Sequence, residues 1–199
     1  MPLTVSERAT NLRFIAAAAV AAEKASGIPA ELSCAQCILE SGWLESAPGN
    51  NPFGIKVYQG APGRQLLDTT EWFTHEELNH FLQLGDSRTA TVFLRGGVPQ
   101  TSGARTLYRV KDWFAAFPAL SDAFGRHAEM MLTVAAYQDA TKQYQASGNL
   151  SVYVETIAKK YATSPVYATQ VEQLIAQDNV KTALKTARQG FGTAGAGSQ

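Results

Sequence analysis

The chain has 199 residues, of which 45% are hydrophobic and 17% charged, and its formal net charge is zero. That length can bury one sizeable core or at most two small ones. A balanced charge without any Lys/Arg run argues against nucleic acid or an anionic membrane surface as the partner.

Thr4-Val5-Ser6-Glu7 fits a capping box, with Glu7 three residues after Thr4. It predicts a first helix reaching Lys24 or Ala25 and stopping at Gly27, a residue suited to a left-handed cap. The apolar run inside it, Phe14 to Ala22, is mostly alanine and too short to span a bilayer. Glu7 before it and Glu23-Lys24 after it do not fit a signal peptide. A second helix is expected from Pro29, well suited to the first helical position, to Glu40. Ile28, Leu32, Ala35 and Leu39 recur at helical spacing as its buried stripe, with Ser33, Gln36, Cys37 and Glu40 on the adjacent one. Cys34 and Cys37 make a C-x-x-C inside this helix. No βαβ pattern surrounds them and no second ligand pair exists for zinc, so both read as small buried hydrophobes.

From Ala47 to Arg64 the chain is rich in Gly and Pro, which predicts loop and irregular β structure. Leu66–Phe73 reads as a strand, Glu76–Leu84 as a short helix ended by Gly85, and Thr89–Leu94 as another strand. Arg95–Arg105 reads as a Gly-rich loop. Asp112 is placed to cap a helix over Trp113–Phe117. A longer helix is expected over Ala119–Ala136, with Phe124, Met131, Leu132 and Ala135 on one face. Ser151–Tyr161 is helical, and Ser164-Pro165 reads as N-cap and first position of a helix through Leu174 to about Gln177. A last segment, Val180–Arg188, precedes a Gly/Ala/Ser tail, 190–199, expected to be disordered. His75, His80 and His127 have no metal-ligand spacing and read as surface or packing residues, Asp122 and His127 as a structural surface pair.

The order is helical, then β-rich, then helical, which predicts an α+β fold: a mainly helical lobe and a small β-rich lobe over about 50–108. Residues 1–189 are expected to form one domain. Glu40 ends a helix that carries few charges and precedes a glycine-broken turn with an aromatic ring, Trp43. A partly desolvated glutamate with access to a cleft has the properties of a general acid with a raised pKa. Clefts between lobes are where polymeric substrates lie.

Gly27 to Trp43 with Asn50 to Lys56 resembles the glucosaminidase domain of family 73 glycoside hydrolases, the group of flagellar rod-associated peptidoglycan hydrolases and many autolysins. Tyr108 to Phe114, with Asp122 to His127, resembles the family's Phe-Arg-x-Tyr-x-Ser segment and the following Asp-His. Tyr161-Ala162-Thr163-Ser164-Pro165-x-Tyr167-Ala168 resembles its Tyr-Ala-Thr-Asp-Pro-x-Tyr-Ala motif. These blocks, in the family's order, cover roughly Phe14 to Leu174.

The resemblance implies a lysozyme-like fold with the two lobes across a cleft, and cleavage of the β-1,4 bond after N-acetylglucosamine in peptidoglycan. It makes Glu40 the catalytic acid and Glu71, in Thr69-Thr70-Glu71-Trp72, the second carboxylate, with Glu76 or Glu77 as alternatives. Tyr161 lines the sugar site, and Trp43, Phe53, Gly54 and Ile55 shape the cleft floor. Three departures stand out. Pro52 replaces leucine, Ser164 replaces aspartate, and the Glu71–Tyr108 stretch is longer than the family's hairpin. The resemblance calls for no metal or organic cofactor, no nucleic acid and no membrane span. It implies a monomer acting in the periplasm or the extracellular wall. A muramidase or lytic transglycosylase on the same fold, or a non-catalytic wall-binding module, are the alternatives.

Overall fold

The computed structural model describes residues 2–58, 60–162 and 166–194. They fall into two compact units, one of residues 1–53 and 117–199, the other of residues 54–116.

The first unit is helical. Thr4 caps α1 (Val5–Ser26) through the expected capping box, and Gly27, at φ 75°, ends it in the left-handed region. α2 (Ala30–Ser41) starts one residue later than expected, because Pro29 takes the extended N-cap conformation rather than the first helical position. α2 packs against α1, α4 (Leu120–Thr133) and α7 (Tyr167–Ala176), and so is buried on several sides. That is why Ser33, Gln36 and Cys37 are as buried as Leu32 and Ala35. Ile15, Ile28, Leu32, Phe124, Met131, Ile157 and Leu184 make up much of this core.

Two of the expected helical stretches change. The long helix over Ala119–Ala136 is two helices, α4 and α5 (Ala135–Ser147), and Leu132 is exposed. The terminal helix α8 (Asp178–Ala194) continues past Gly190 into the stretch read as a disordered tail. α6 (Leu150–Tyr161), capped by Asn149, agrees with the sequence reading. The Ser164-Pro165 start read for α7 lies outside the described residues.

The second unit, Gly54–Ala116, is an antiparallel sheet with one helix, so the β-rich part extends beyond 50–108 at its C-terminal side. β1 (Arg64–Phe73) pairs with β6 (Arg105–Ala115) from Arg64↔Ala115 to Phe73↔Thr106, and β2 (Thr89–Val92) pairs on the other side of β6. α3 (His75–Gln83) has its own capping box from Thr74 and Glu77. The expected Gly-rich loop over Arg95–Arg105 contains a small hairpin, β3 (Leu94–Arg95) with β4 (Val98–Pro99), and β5 (Thr101–Ser102), which pairs with β6. The helix expected at Trp113–Phe117 does not form. Asp112 caps nothing there; it is a buried strand residue whose carboxylate takes Arg88 at 2.8 Å and Lys56 at 3.3 Å. Charge paired in this way can occupy the inner face of a strand that would otherwise be apolar.

Candidate active site

The end of α2 fixes Glu40. Beyond it, Gly42, Trp43 and Leu44 all have left-handed φ values of 58°, 64° and 66°. For Trp43 and Leu44 that conformation costs about 1–3 kcal/mol each and needs support from its surroundings. The support is visible. The buried Ser41 hydroxyl donates to the Cys37 carbonyl at 2.6 Å and accepts from the Leu44 N–H at 2.9 Å. The Asn11 side chain on α1 donates to the Trp43 carbonyl at 2.8 Å. The reversal just after Glu40 is therefore pinned from both sides.

Glu40 as a whole residue is open to solvent. Even so, protein around its carboxyl strips enough water to raise its pKa above the usual carboxylate range. The Tyr167 hydroxyl beside it opposes that rise without cancelling it.

Tyr167 opens α7 and is buried. Its ring stacks on Tyr161 at the end of α6, with centroids 5.8 Å apart and planes 21° from parallel. Burial and the nearby Glu40 charge both push the two phenols' pKa values up, so each stays a neutral hydroxyl. Behind Tyr167 lies Gln36, one turn before Glu40 on α2, whose amide donates to the Tyr167 oxygen at 3.2 Å. The Gln36 carbonyl oxygen in turn meets His127 Nε2 at 3.0 Å. His127 is fully buried, and desolvation holds its pKa down to about 3, so it is neutral. This corrects the surface pairing read for Asp122 and His127. Asp122 instead accepts from the Ala119 N–H at the start of its own helix.

Of the residues expected to touch sugar, Tyr161 stands in this cluster. Phe53 supports it, with its ring stacked on His127 at 4.2 Å, edge-on to Phe124 and only 6% exposed. It offers packing more than a surface for a ligand. Gly54 is exposed at φ 59° with open space where a side chain would stand. Trp43 borders a different region, a cavity of about 1190 Å³ also lined by Leu12, Arg13, Leu174 and Ala183 and not by Glu40.

The sheet unit carries the other carboxylates. Glu71 on β1 is half-buried and paired with Lys56 at 2.7 Å. Glu77 is committed to structure, since it caps α3 and pairs with Arg105 at 2.6 Å. Glu76 is exposed. Among the described residues, no group of three or more His, Cys, Asp or Glu side chains could hold a metal ion.

Sequence reading gives Gln36, Tyr167 and His127 no part in the site: it places Gln36 beside the buried stripe of α2, Tyr167 in the family motif and His127 in a surface pair. The available signal was Gln36, four residues before Glu40 and next to the buried stripe, where an amide needs partners.

The Glucosaminidase family, described as mannosyl-glycoprotein endo-beta-N-acetylglucosaminidase, matches residues 16–180. The fold is similar to the catalytic domain of the autolysin Auto from Listeria monocytogenes, with a TM-score of 0.63 and 19% identity over 92% of this chain and 90% of that one. It is also similar to a peptidoglycan hydrolase from Sphingomonas sp. A1, with a TM-score of 0.58 and 19% identity over 90% of this chain and 94% of that one. The glycoside hydrolase domain of FlgJ from Salmonella typhimurium gives a TM-score of 0.58 at 18% identity, over 94% of this chain and 96% of that one. No curated protein sequence gives a significant match.

Proposed function

The chain belongs to the glucosaminidase family of glycoside hydrolases, and from that premise we propose that it cleaves the β-1,4 bond after N-acetylglucosamine in peptidoglycan, with Glu40 as general acid. The observation that carries this reading is the Glu40 carboxyl itself. It is fixed at a pinned helix end, desolvated enough to hold its proton above the usual range, and open enough to meet a substrate. Protonating the leaving sugar oxygen requires such an acid.

Glycoside hydrolysis generally uses a second carboxylate, which activates water or attacks the sugar. Glu71 takes that part in this reading. Lys56 pairs with it at 2.7 Å and belongs to the Asn50–Lys56 segment that resembles the family motif. Tyr161 contributes its ring to the sugar site. The substrate places the working enzyme at the cell wall, outside the cytoplasm.

The test is hydrolysis of purified peptidoglycan followed by analysis of the new reducing ends. N-acetylglucosamine at those ends supports the reading. Muramic acid ends would make the enzyme a muramidase, and no new ends would leave a binding module.

A further inference from the structure

Resting on the assignment of Glu40 as the acid, we propose that Gln36 and His127 are positioning residues: they fix the direction of the Tyr167 hydroxyl, so that it donates to Glu40 and does not accept from it. A phenol has one proton to give. The Gln36 amide N–H donates to that oxygen at 3.2 Å, which leaves the phenol's own proton to face the Glu40 carboxyl beside it. The polarity of that contact depends on which way the Gln36 amide is turned, and His127 sets it.

His127 Nδ1 has no hydrogen-bond partner among the described residues, while Nε2 lies 3.0 Å from Gln36 Oε1. A proton on Nδ1 would bury an N–H with nothing to accept it, and orphaned buried N–H groups are rare. The proton therefore sits on Nε2 and is donated to Gln36 Oε1. The amide is locked with its nitrogen toward Tyr167, and the chain runs one way: His127 to Gln36 to Tyr167 to Glu40.

This order matters when Glu40 is protonated. A free phenol oxygen would accept the acid's proton and hold it away from the substrate. With Gln36 donating to that oxygen and the phenol's own proton turned toward Glu40, the proton on Glu40 is left for the leaving oxygen. The same chain gives the Glu40 carboxylate a strong donor once the proton has gone.

Two measurements test this. In the wild-type protein, nitrogen NMR of histidine should show His127 with its proton on Nε2, still neutral well below pH 6. A proton on Nδ1, or titration near pH 6.5, would overturn the proposal without any substitution being made. The second measurement compares Gln36→Met, Tyr167→Phe and the double variant in the pH dependence of kcat/KM on soluble glycan. Gln36→Met should lower kcat about tenfold, the scale of one lost hydrogen bond, with KM changed less than twofold. Its alkaline limb should move to higher pH, because the carboxylate loses a well-directed donor. In the Tyr167→Phe background, Gln36→Met should move the limb no further. A folded Gln36→Met protein with the wild-type limb, or additive shifts in the double variant, would refute the proposal. Glu40→Gln run alongside separates the two ideas. If it is active, the acid assignment fails; if it is inactive while Gln36→Met is normal, only this inference fails.

Discussion

Gln36 and Glu40 lie four residues apart on α2 and both face the Tyr167 hydroxyl, to which the Gln36 amide donates at 3.2 Å. Residues at that spacing share a helix ridge. Here the ridge runs from a fully buried position to a solvent-open one, so a single phenol links the packed interior to the exposed carboxyl.

Glu40→Gln should remove wall hydrolysis by at least about 10²–10⁴-fold, since an amide cannot donate the proton the leaving group needs. It should also leave the protein at least as stable as wild type at neutral pH. The folded state holds the Glu40 proton more tightly than the unfolded chain, so ionisation of Glu40 is a cost of folding. That cost is absent below the ordinary carboxylate range and grows as pH rises through the elevated folded value. Melting curves of the two proteins should coincide in acid and separate in the variant's favour toward neutrality. A less stable variant at pH 7 would contradict the desolvation.

The three sheet-unit glutamates should behave differently. Glu71→Gln should cut activity sharply, though less than Glu40→Gln, because the substrate's acetamido group can partly replace a second carboxylate. Glu77→Gln should lower the melting temperature through the α3 cap and the Arg105 pair while leaving kcat near wild type. Glu76→Gln should change neither. Full activity in Glu71→Gln together with loss in Glu76→Gln would move the assignment from β1 to Glu76 on α3.

What could be read from the sequence follows from how locally each signal is determined. Thr4 with Glu7, and Gly27, mark both ends of α1 because caps depend on neighbouring residues. Glu40 stood out for the same reason, as an acid at a helix end before a glycine. Strand β6 was misread because Asp112 interrupts the inward series Val110, Asp112, Phe114 with a charge, and the partners that neutralise it, Arg88 and Lys56, are distant in sequence. α5 was missed because its sequence, AAYQDATKQYQAS, is mostly polar and buries only Ala140 and Thr141. The Tyr167 cluster was hidden for a related reason. Gln36, His127 and Tyr167 come from three helices, and no local rule brings them together.

The thiols should be chemically silent. Cys34 and Cys37 are fully buried on α2, and burial pushes the Cys34 thiol up to about 12 and the Cys37 thiol higher still. Thiolate, not thiol, is the nucleophile, so neither should react with a small alkylating reagent in the folded protein. The Cys34→Ala/Cys37→Ser variant should keep most activity and lose about 1–2 kcal/mol of stability through packing. Rapid labelling with loss of activity and no unfolding would show an exposed, reactive thiol instead.

The last prediction concerns the clasp that holds α8. Arg188 reaches Glu23 at the end of α1, at 2.9 and 2.8 Å, and Glu31 at the start of α2, at 2.8 Å. Glu23 also accepts from the Ala30 N–H at 3.0 Å, so one carboxylate ties α8 to the first turn of α2. Burial works to raise the Glu23 pKa, but Arg188 and the Ala30 N–H outweigh it and hold the carboxyl below its ordinary value. The stability this contributes is complete above the ordinary carboxylate range and is lost as pH falls through the depressed folded value. Arg188→Met should therefore cost about 1 kcal/mol at neutral pH, the partly exposed guanidinium being screened by solvent. The cost should shrink in acid and in high salt. Truncation after Gly190 keeps the clasp and gives up the Lys24 contact with the Phe191 ring, so it should lower the melting temperature less than Arg188→Met does. The opposite ranking would mean that the end of α8, not Arg188, holds the helix in place.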